Sequence, residues 1–209
     1  MELIDVIEKR RSIRLFTDEP IPVSDLKELV RRATLAPSIA NAEPWRFIAI
    51  TNKELLTKLT EMVQQKYDQV LEKADDETSV KIKERIKHFS TFFNDAPAVI
   101  AVINQPYEAI IDHVLAKTGY IHDELNELRN FPNIQTLGAA IQNILLSAVD
   151  MKYGACWLTG PMLAKSEIEE ELDIKHPDSL FAFVAIGKAA SHPKPKDKRS
   201  FDEVFSLLD

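Results

Sequence analysis

Apolar residues recur with a helical period in several segments of the chain. Leu3, Ile4, Val6 and Ile7 lie on one stripe and predict a short opening helix. Residues 137–151 are apolar on nearly every side, which is typical of a buried central helix. The predicted helices cover residues 3–10, 25–36 with Ser24 as N-cap, 53–73, 79–93, 137–151 and a short segment opened by a Ser166–Glu169 capping box.

Four shorter apolar segments are predicted strands. WRFIAIT (45–51) alternates and is rich in β-branched and aromatic residues. AVIAVI (98–103) is continuously apolar, which predicts a strand buried on both faces. GACWLTG (154–160) and LFAFVAIG (180–187) complete the set. Because the two element types are interleaved and 45% of the 209 residues are hydrophobic, we expect one domain over residues 1–209.

Three of the stretches outside these predicted elements have a composition that can be interpreted. Residues 75–77 are acidic and predict a surface turn. Residues 105–133 mix prolines, a glycine and charges, and we interpret them as a mobile excursion with some helix, serving as a lid or substrate-binding segment. Residues 191–209 form a polar arm that ends in FDEVFSLL, an apolar end that another surface, such as a partner subunit, has to cover.

The charge of the chain argues against several classes of partner. Lys and Arg total 26 against 33 Asp and Glu, so the net charge is -7, and nucleic acids and anionic membranes select basic surfaces instead. No apolar run approaches the roughly 18 to 20 residues that span a bilayer, and MELIDVIEKRR carries charges where a signal peptide is apolar. Cys156 is the only cysteine, which favours a reducing, cytoplasmic setting.

Two groups of cations remain as candidate chemistry. RRSIR (10–14) fits a helix C-terminus, where basic residues oppose the macrodipole, and equally an oxyanion site in which guanidinium groups bind phosphate and Ser12 adds a hydroxyl. A run near the C-terminus is by default a solvated tail. The two groups could also converge on one dianionic phosphate. The second group consists of Lys194, Lys196, Lys198 and Arg199.

Four motifs in a fixed order carry a family resemblance. They are RRSIR, then APSIANAEPW, then QNILLSAVDMKYGACWLTG, and finally the basic element that follows FVAIGKA. This succession closely resembles the flavin-dependent nitroreductase family, over about residues 7–205. One departure is Glu43, which stands where the family usually has Gln; the iodotyrosine-deiodinase-like branch also carries Glu there.

The resemblance implies an α+β fold with a mainly antiparallel central sheet flanked by helices. It also implies a C-terminal arm that packs on the partner subunit, and FMN bound at the interface of an obligate homodimer. By analogy the cofactor-binding residues are Arg10, Arg11, Ser12, Arg14, Pro37, Ser38, Asn41, Thr159, Gly160, Lys198 and Arg199.

The family pattern assigns the basic residues to two ends of the cofactor. Arg10 and Ser12 would hold the phosphate and the ribityl chain, and Lys198 or its neighbour Arg199 would complete the phosphate site. Arg14 would reach the pyrimidine edge of the ring, where hydride uptake leaves negative charge.

The remaining positions would line the ring. Pro37, Ser38 and Asn41 would come from the partner subunit, while the loop at Thr159 and Gly160 would turn backbone N–H groups toward N5 and O4. Ser38 and Gly160 also have a simpler interpretation as turn chemistry beside prolines.

Other conspicuous residues are expected to be structural. Trp45 and Trp157 are more often core residues than cofactor contacts, and Cys156, flanked by apolar residues, is expected to be a small buried hydrophobe. His113 and His122 are spaced more widely than metal ligands usually are, so we expect no metal. The chain has no Gly-rich dinucleotide fingerprint, so NAD(P)H would bind only transiently over the flavin.

The leading functional hypothesis is an FMN-dependent oxidoreductase. NAD(P)H would reduce the flavin, leave, and be replaced by a nitroaromatic or quinone acceptor in ping-pong order. One alternative is reductive dehalogenation, for which Glu61, Lys66 and Tyr67 are the nearest candidates to grip an amino acid substrate. Another is a flavin-binding protein without turnover, for storage or regulation.

Overall fold

Helices and strands alternate along the chain, as the hydrophobic pattern predicts. The computed structural model describes residues 1–73 and 77–208. The α-helices are α1 (Leu3–Lys9), α2 (Val23–Ala33), α3 (Lys53–Val70), α4 (Glu77–Thr91), α5 (Ile110–Leu115), α6 (His122–Leu128), α7 (Pro132–Asp150) and α8 (Lys165–Glu171). The strands are β1 (Trp45–Ile50), β2 (Ala98–Asn104), β3 (Gly154–Leu158) and β4 (Ser179–Gly187).

The strands form one antiparallel sheet in the order β1-β2-β4-β3. Strand β2 lies inside the sheet, and every residue from Ala98 to Ile103 is fully buried. Because side chains alternate along a strand, Ile100 and Val102 pack into one core and Val99 and Ala101 into another. The prediction that this strand is buried on both faces is therefore confirmed.

Helices cover both faces of the sheet. Helices α2 and α7 enclose the first core, with Leu29 and Ile141 fully buried there. Helices α3 and α8, with the 3-10 helix Phe92–Asp95, enclose the second core. The predicted α+β fold, with an antiparallel sheet flanked by helices, is confirmed.

The free edge of β3 is covered by the segment that follows α1. Ser12 forms a parallel bridge with Ala155, and the Ile13 amide donates to the Ala155 carbonyl at 3.1 Å. Farther along, the Thr17 amide donates to the Lys188 carbonyl at 2.9 Å. Strand-like pairing therefore fixes the backbone of the RRSIR segment against the sheet.

Two predicted capping arrangements at helix starts are wrong. Helix α2 begins at Val23 with Pro22 at the N-cap and ends at Ala33. Proline is tolerated at a helix start because a backbone N–H there has no partner within the helix. Ser24 is a residue of the first helical turn, and its hydroxyl donates to the Asp25 carboxylate at 3.2 Å. Helix α8 continues directly from the 3-10 helix Gly160–Ala164, so the predicted capping box has no free helix end to cap.

Glu169 of the predicted capping box has another role. One carboxylate oxygen accepts a hydrogen bond from the Leu180 amide at 2.6 Å, at the start of β4. The box therefore fails because a neighbouring strand supplies a better donor for this carboxylate.

The less regular stretches are more helical than the sequence indicates. Residues 105–133 contain α5 and α6, and α7 begins at Pro132 rather than at residue 137. Glu77 begins α4 and is not part of a turn; Asp75 and Asp76, the rest of the predicted acidic turn, lie outside the described residues. Whether 105–133 acts as a lid stays a prediction.

A buried tyrosine joins the start of β3 to α2. The Tyr153 hydroxyl donates to a carboxylate oxygen of Asp25 at 2.7 Å, and its side chain is largely buried. Burial, with the Asp25 carboxylate as second cause, raises the pKa of Tyr153 to about 12. An unfolded tyrosine titrates near pH 10, so above that pH the unfolded chain loses a proton that the folded protein keeps.

This difference predicts a loss of stability at high pH. The raised pKa of Tyr153 should contribute about 2 to 3 kcal/mol to the free energy of unfolding. This contribution should be complete below about pH 10 and should disappear as the pH rises toward 12. Denaturant unfolding of wild type and Tyr153→Phe at pH 8, 10 and 11.5 measures this, since the difference between the two proteins should shrink as the pH rises. Exposed Tyr120→Phe is the control. A difference that stays constant with pH contradicts the assignment.

Candidate functional site

The cations from both ends of the chain meet in one cavity. This basic cavity has a volume of about 590 Å³ and lies between α1 and the C-terminal arm. Glu8 is the only carboxylate among its described lining residues. Ser12 and Gln142 add neutral polar groups. The cations that line it are Arg10, Arg11, Arg14, Lys194, Lys196 and Lys198.

The positions of these residues follow from the local backbone. Helix α1 ends at Lys9, and the chain then becomes extended along β3, so successive side chains point in opposite directions. Ile13 is buried and contacts Gly154, where an added Cβ would lie 2.7 Å from Ile13 Cγ1. Arg14 remains exposed toward the cavity. The apolar residue between Ser12 and Arg14 therefore anchors both polar ones.

A second, more aromatic cavity shares one lining residue with the first. This aromatic cavity has a volume of about 490 Å³ and is lined by the end of β3, the loop after it and one face of α4. Arg14 lines both cavities. Its guanidinium lies 5.3 Å from the centroid of the Phe89 ring and 6.0 Å from that of Phe92, within the range of cation–π contacts.

The loop at the base of the aromatic cavity is held by a buried hydrogen-bond chain. The Ser90 hydroxyl donates to the Tyr67 hydroxyl at 3.0 Å, and the Tyr67 hydroxyl donates to the Gly160 carbonyl at 3.1 Å. Ser90 and Tyr67 are both buried. Helices α3 and α4 thus fix the backbone at Thr159 and Gly160, next to the cavity.

Comparison with known proteins identifies the family. The sequence model of the Nitroreductase family matches residues 7–188, which is most of the chain. The chain belongs to the Nitroreductase family.

Solved structures of similar fold accompany this match. A BluB-like flavoprotein from Clostridium difficile 630 is 28% identical, with a TM-score of 0.89 and full coverage of both chains. A nitroreductase with bound FMN from Bacteroides fragilis, 22% identical with a TM-score of 0.71 and full coverage of both chains, shares the fold.

Relatives of known sequence carry two kinds of name. A protein of Archaeoglobus fulgidus, named provisionally as an NADH dehydrogenase/NAD(P)H nitroreductase, is 27% identical over 97% of this chain and 90% of its own length. The iodotyrosine deiodinase of Hydra vulgaris is 34% identical over 67% of this chain and 50% of its own length.

Three arginines of the predicted site have hydrogen-bond partners within the chain. The Arg14 guanidinium donates to the Ser12 carbonyl at 3.4 Å. The Arg11 guanidinium donates to the carbonyls of Glu8 and Arg10, at 2.6 and 2.8 Å, although it also borders the basic cavity. Arg199 pairs with the Glu203 carboxylate at 3.1 Å and is not among the residues that line the basic cavity. Of the two neighbours that the resemblance assigns to the phosphate, Lys198 is the one found among the described lining residues of the basic cavity.

The predicted partner-subunit residues lie apart from both cavities of this nitroreductase-family chain. Pro37, Ser38 and Asn41 are absent from the described lining of either one. The Ser38 hydroxyl accepts from the Glu43 amide at 3.2 Å, within a turn in which Asn41 and Glu43 have φ of 54° and 50°. Left-handed backbone at non-glycine residues is strained and is found preferentially at functional sites.

Trp45 and Cys156 are buried, as expected, whereas Trp157 is partly exposed. Burial raises the pKa of the Cys156 thiol, with the Arg14 cation opposing that shift, and a raised pKa favours the neutral thiol. Trp157 differs from the expectation, because 36% of it is exposed and it lines the aromatic cavity. Its outward position follows from the alternation of β3, which a short strand sequence does not reveal.

The candidate residues for binding an amino acid substrate, Glu61, Lys66 and Tyr67, lie outside the described lining of the aromatic cavity. Lys66 pairs with the Glu167 carboxylate at 2.7 Å, and Tyr67 is bonded to Gly160. Glu61 is exposed on α3. Sequence analysis also missed Ser90, since a serine in an amphipathic helix carries no signal of its buried partner.

The histidines of residues 105–133 border a separate cavity of about 690 Å³. His122 Nδ1 lies 3.5 Å from one carboxylate oxygen of Asp112, and the other oxygen pairs with Arg129 at 2.6 Å. Among the side chains that the structure describes, no three His, Cys, Asp or Glu are arranged to hold a metal ion. The helices described for this chain also include none that is long and apolar enough to cross a bilayer.

The close approach of Ser90 makes Gly160 sensitive to substitution. An added Cβ would overlap the Ser90 hydroxyl and lie 3.0 Å from its Cβ. Gly160→Ala should therefore destabilise the protein by about 1 to 3 kcal/mol through overpacking. In a Ser90→Gly background the same substitution should cost less, which a double-mutant cycle of denaturant unfolding measures. Equal costs in both backgrounds contradict the packing described.

Proposed function

We propose that the protein is an FMN-dependent oxidoreductase that uses NAD(P)H to reduce an electron-poor acceptor, a nitroaromatic or a quinone. The observation that carries this proposal is that Arg14 lines both cavities. One cavity is strongly cationic and the other is aromatic and apolar. FMN has the same division, with a dianionic phosphate joined through a ribityl chain to a planar ring.

The residues present fit both ends of that cofactor. Guanidinium and ammonium groups from Arg10, Lys194, Lys196 and Lys198 offset the charge of a phosphate, and a single carboxylate opposes them. In the aromatic cavity, Phe89 and Trp157 offer flat surfaces for the ring. The FMN-bound relative from Bacteroides fragilis and the BluB-like flavoprotein support the same cofactor.

When bound, the flavin supplies the hydride chemistry, taking electrons from NAD(P)H and giving them to the acceptor. The protein supplies position and charge. Arg10 and the lysines hold the phosphate, Arg14 favours negative charge at the pyrimidine edge, and Tyr67 and Ser90 fix the loop at Gly160. Donor and acceptor would use the aromatic cavity in turn, which gives ping-pong kinetics.

We further propose that the protein acts as a homodimer in the cytoplasm. Its arm exposes a row of apolar residues, with Phe201 69% and Leu208 95% exposed, and such surfaces usually lie in interfaces. A twofold partner would cover this arm and would bring Pro37, Ser38 and Asn41 to the flavin. Residues 1–209 would form one domain in that assembly.

The function is tested with the purified protein. Its visible spectrum should show oxidised flavin, which denaturation should release as FMN. It should oxidise NADH or NADPH steadily when a nitroaromatic or quinone is added. A flavin-loaded protein without turnover supports a storage role, and turnover of a halotyrosine alone supports the dehalogenation suggested by the name of the Hydra relative.

Arg10 and Arg14 should have separable effects. Arg10→Ala should weaken FMN binding by about 1.5 to 3 kcal/mol, since it removes a charge-assisted contact to the phosphate. Arg14→Ala should lower the midpoint potential by tens of millivolts, because about 30 mV corresponds to 1.4 kcal/mol for a two-electron couple. Potentials are measured with FMN in saturating excess. An unshifted Arg14 variant, or an Arg10 variant shifted equally, reverses the assignment.

Removal of residues 200–209 tests the arm. If the apolar end packs across a twofold partner, the truncated protein should be poorly soluble or should lose its flavin, because its interface is incomplete. Sedimentation and flavin content after gel filtration measure both properties. A soluble, yellow, truncated dimer contradicts the proposed role.

A further inference from the structure

One face of α4 forms the outer side of the aromatic cavity. Ile82, Arg85, Ile86 and Phe89 are spaced as neighbours on a helix surface, and all four line the cavity. The three apolar side chains are 38% to 49% exposed. An apolar stripe of this kind stabilises a molecule that covers it, and its flat aromatic member suits a planar ring.

Arg85 is the cation of this stripe, and none of the described side chains forms an ion pair with it. Its guanidinium lies 5.7 Å from the centroid of the Phe89 ring, which Arg14 also contacts. No Asp or Glu is found among the described lining residues of the aromatic cavity. Two guanidinium groups on one ring repel each other, and an anion between the helix and the flavin would relieve that repulsion.

Arg85 differs from the other arginines outside the RRSIR segment in having no carboxylate partner among the described side chains. The paired arginines are Arg31 and Arg32 with Glu28, Arg46 with Asp178, Arg129 with Asp112, and Arg199 with Glu203. Lys87, one turn from the cavity stripe, likewise pairs with Asp68.

We infer that Arg85 forms an acceptor subsite selective for planar anions, such as aromatic carboxylates, sulfonates or phenolates. The aromatic body would lie against Ile86, Phe89 and Trp157, and the anionic group would bind the guanidinium of Arg85. Arg14 is already assigned to the cofactor, which leaves Arg85 for the acceptor. This inference rests on the proposed function and adds a substrate class to it.

The test compares two acceptors that differ mainly in charge, 4-nitrobenzoate and 4-nitrobenzamide. Wild-type holoenzyme should favour the carboxylate in kcat/KM, and Arg85→Gln should lower the carboxylate-to-amide ratio about tenfold, as expected for loss of one charge-assisted contact. Lys83→Gln removes a cation from the same helix at a position outside the cavity lining and should leave the ratio unchanged. Arg85→Lys should keep part of the preference.

A binding measurement separates this inference from the proposed function. Benzoate and benzamide, which are not reduced, are titrated into the oxidised flavoprotein and followed by the flavin spectrum. Wild type should bind benzoate more tightly, and Arg85→Gln should lose that advantage. If NAD(P)H is oxidised but the two ligands bind equally, the inference fails alone. If the flavoprotein has no turnover with any acceptor, the proposed function fails, and the benzoate preference still decides the subsite.

The dissociation constant of FMN supplies the remaining control. Arg85→Gln should bind FMN as tightly as Lys83→Gln does, because the inference places Arg85 on the acceptor. A loss of FMN affinity comparable to that of Arg10→Ala shows that Arg85 belongs to the cofactor site, and this result overturns the inference.

Discussion

The backbone pairing of residues 12–17 with the sheet is the constraint on which both cavities depend. It aligns the segment with β3 and with the residues after β4, and it leaves alternate side chains on opposite sides. Ile13 fills the space over Gly154, where any larger residue would displace it. The arginines therefore take fixed positions although neither a helix nor a regular strand contains them.

The same pairing explains why one arginine has a role in both cavities. Arg14 follows the anchored Ile13 and stands beside the end of β3, where α4 supplies Phe89. Below it, the chain from Ser90 through Tyr67 to Gly160 joins both helices of that side to the loop after β3. The basic residues, the aromatic surface and the loop at Gly160 thus come from separate elements, and Arg14 borders both cavities that they form.

Much of the fold could be predicted from the sequence, because β2 and α7 have unambiguous patterns of burial. Helix starts at Val23 and Lys165 could not, since a proline and a preceding 3-10 helix replace the usual capping side chains. Of the site, the RRSIR motif and the Thr159 loop were visible as motifs. Arg85 and Ser90 were not, because their roles depend on which face of α4 meets the cavity, and one amphipathic helix does not specify its neighbour.

The basic cavity joins residues from the first and last tenths of the chain, Arg10 and Lys198. A contact of such sequence separation forms late, since loop-closure entropy opposes it until the intervening sheet exists. During synthesis, the basic cavity cannot form until Lys194 to Lys198 have left the ribosome. A chain that stopped before Lys194 would therefore lack the lysine side of the basic cavity even where most of its core had formed.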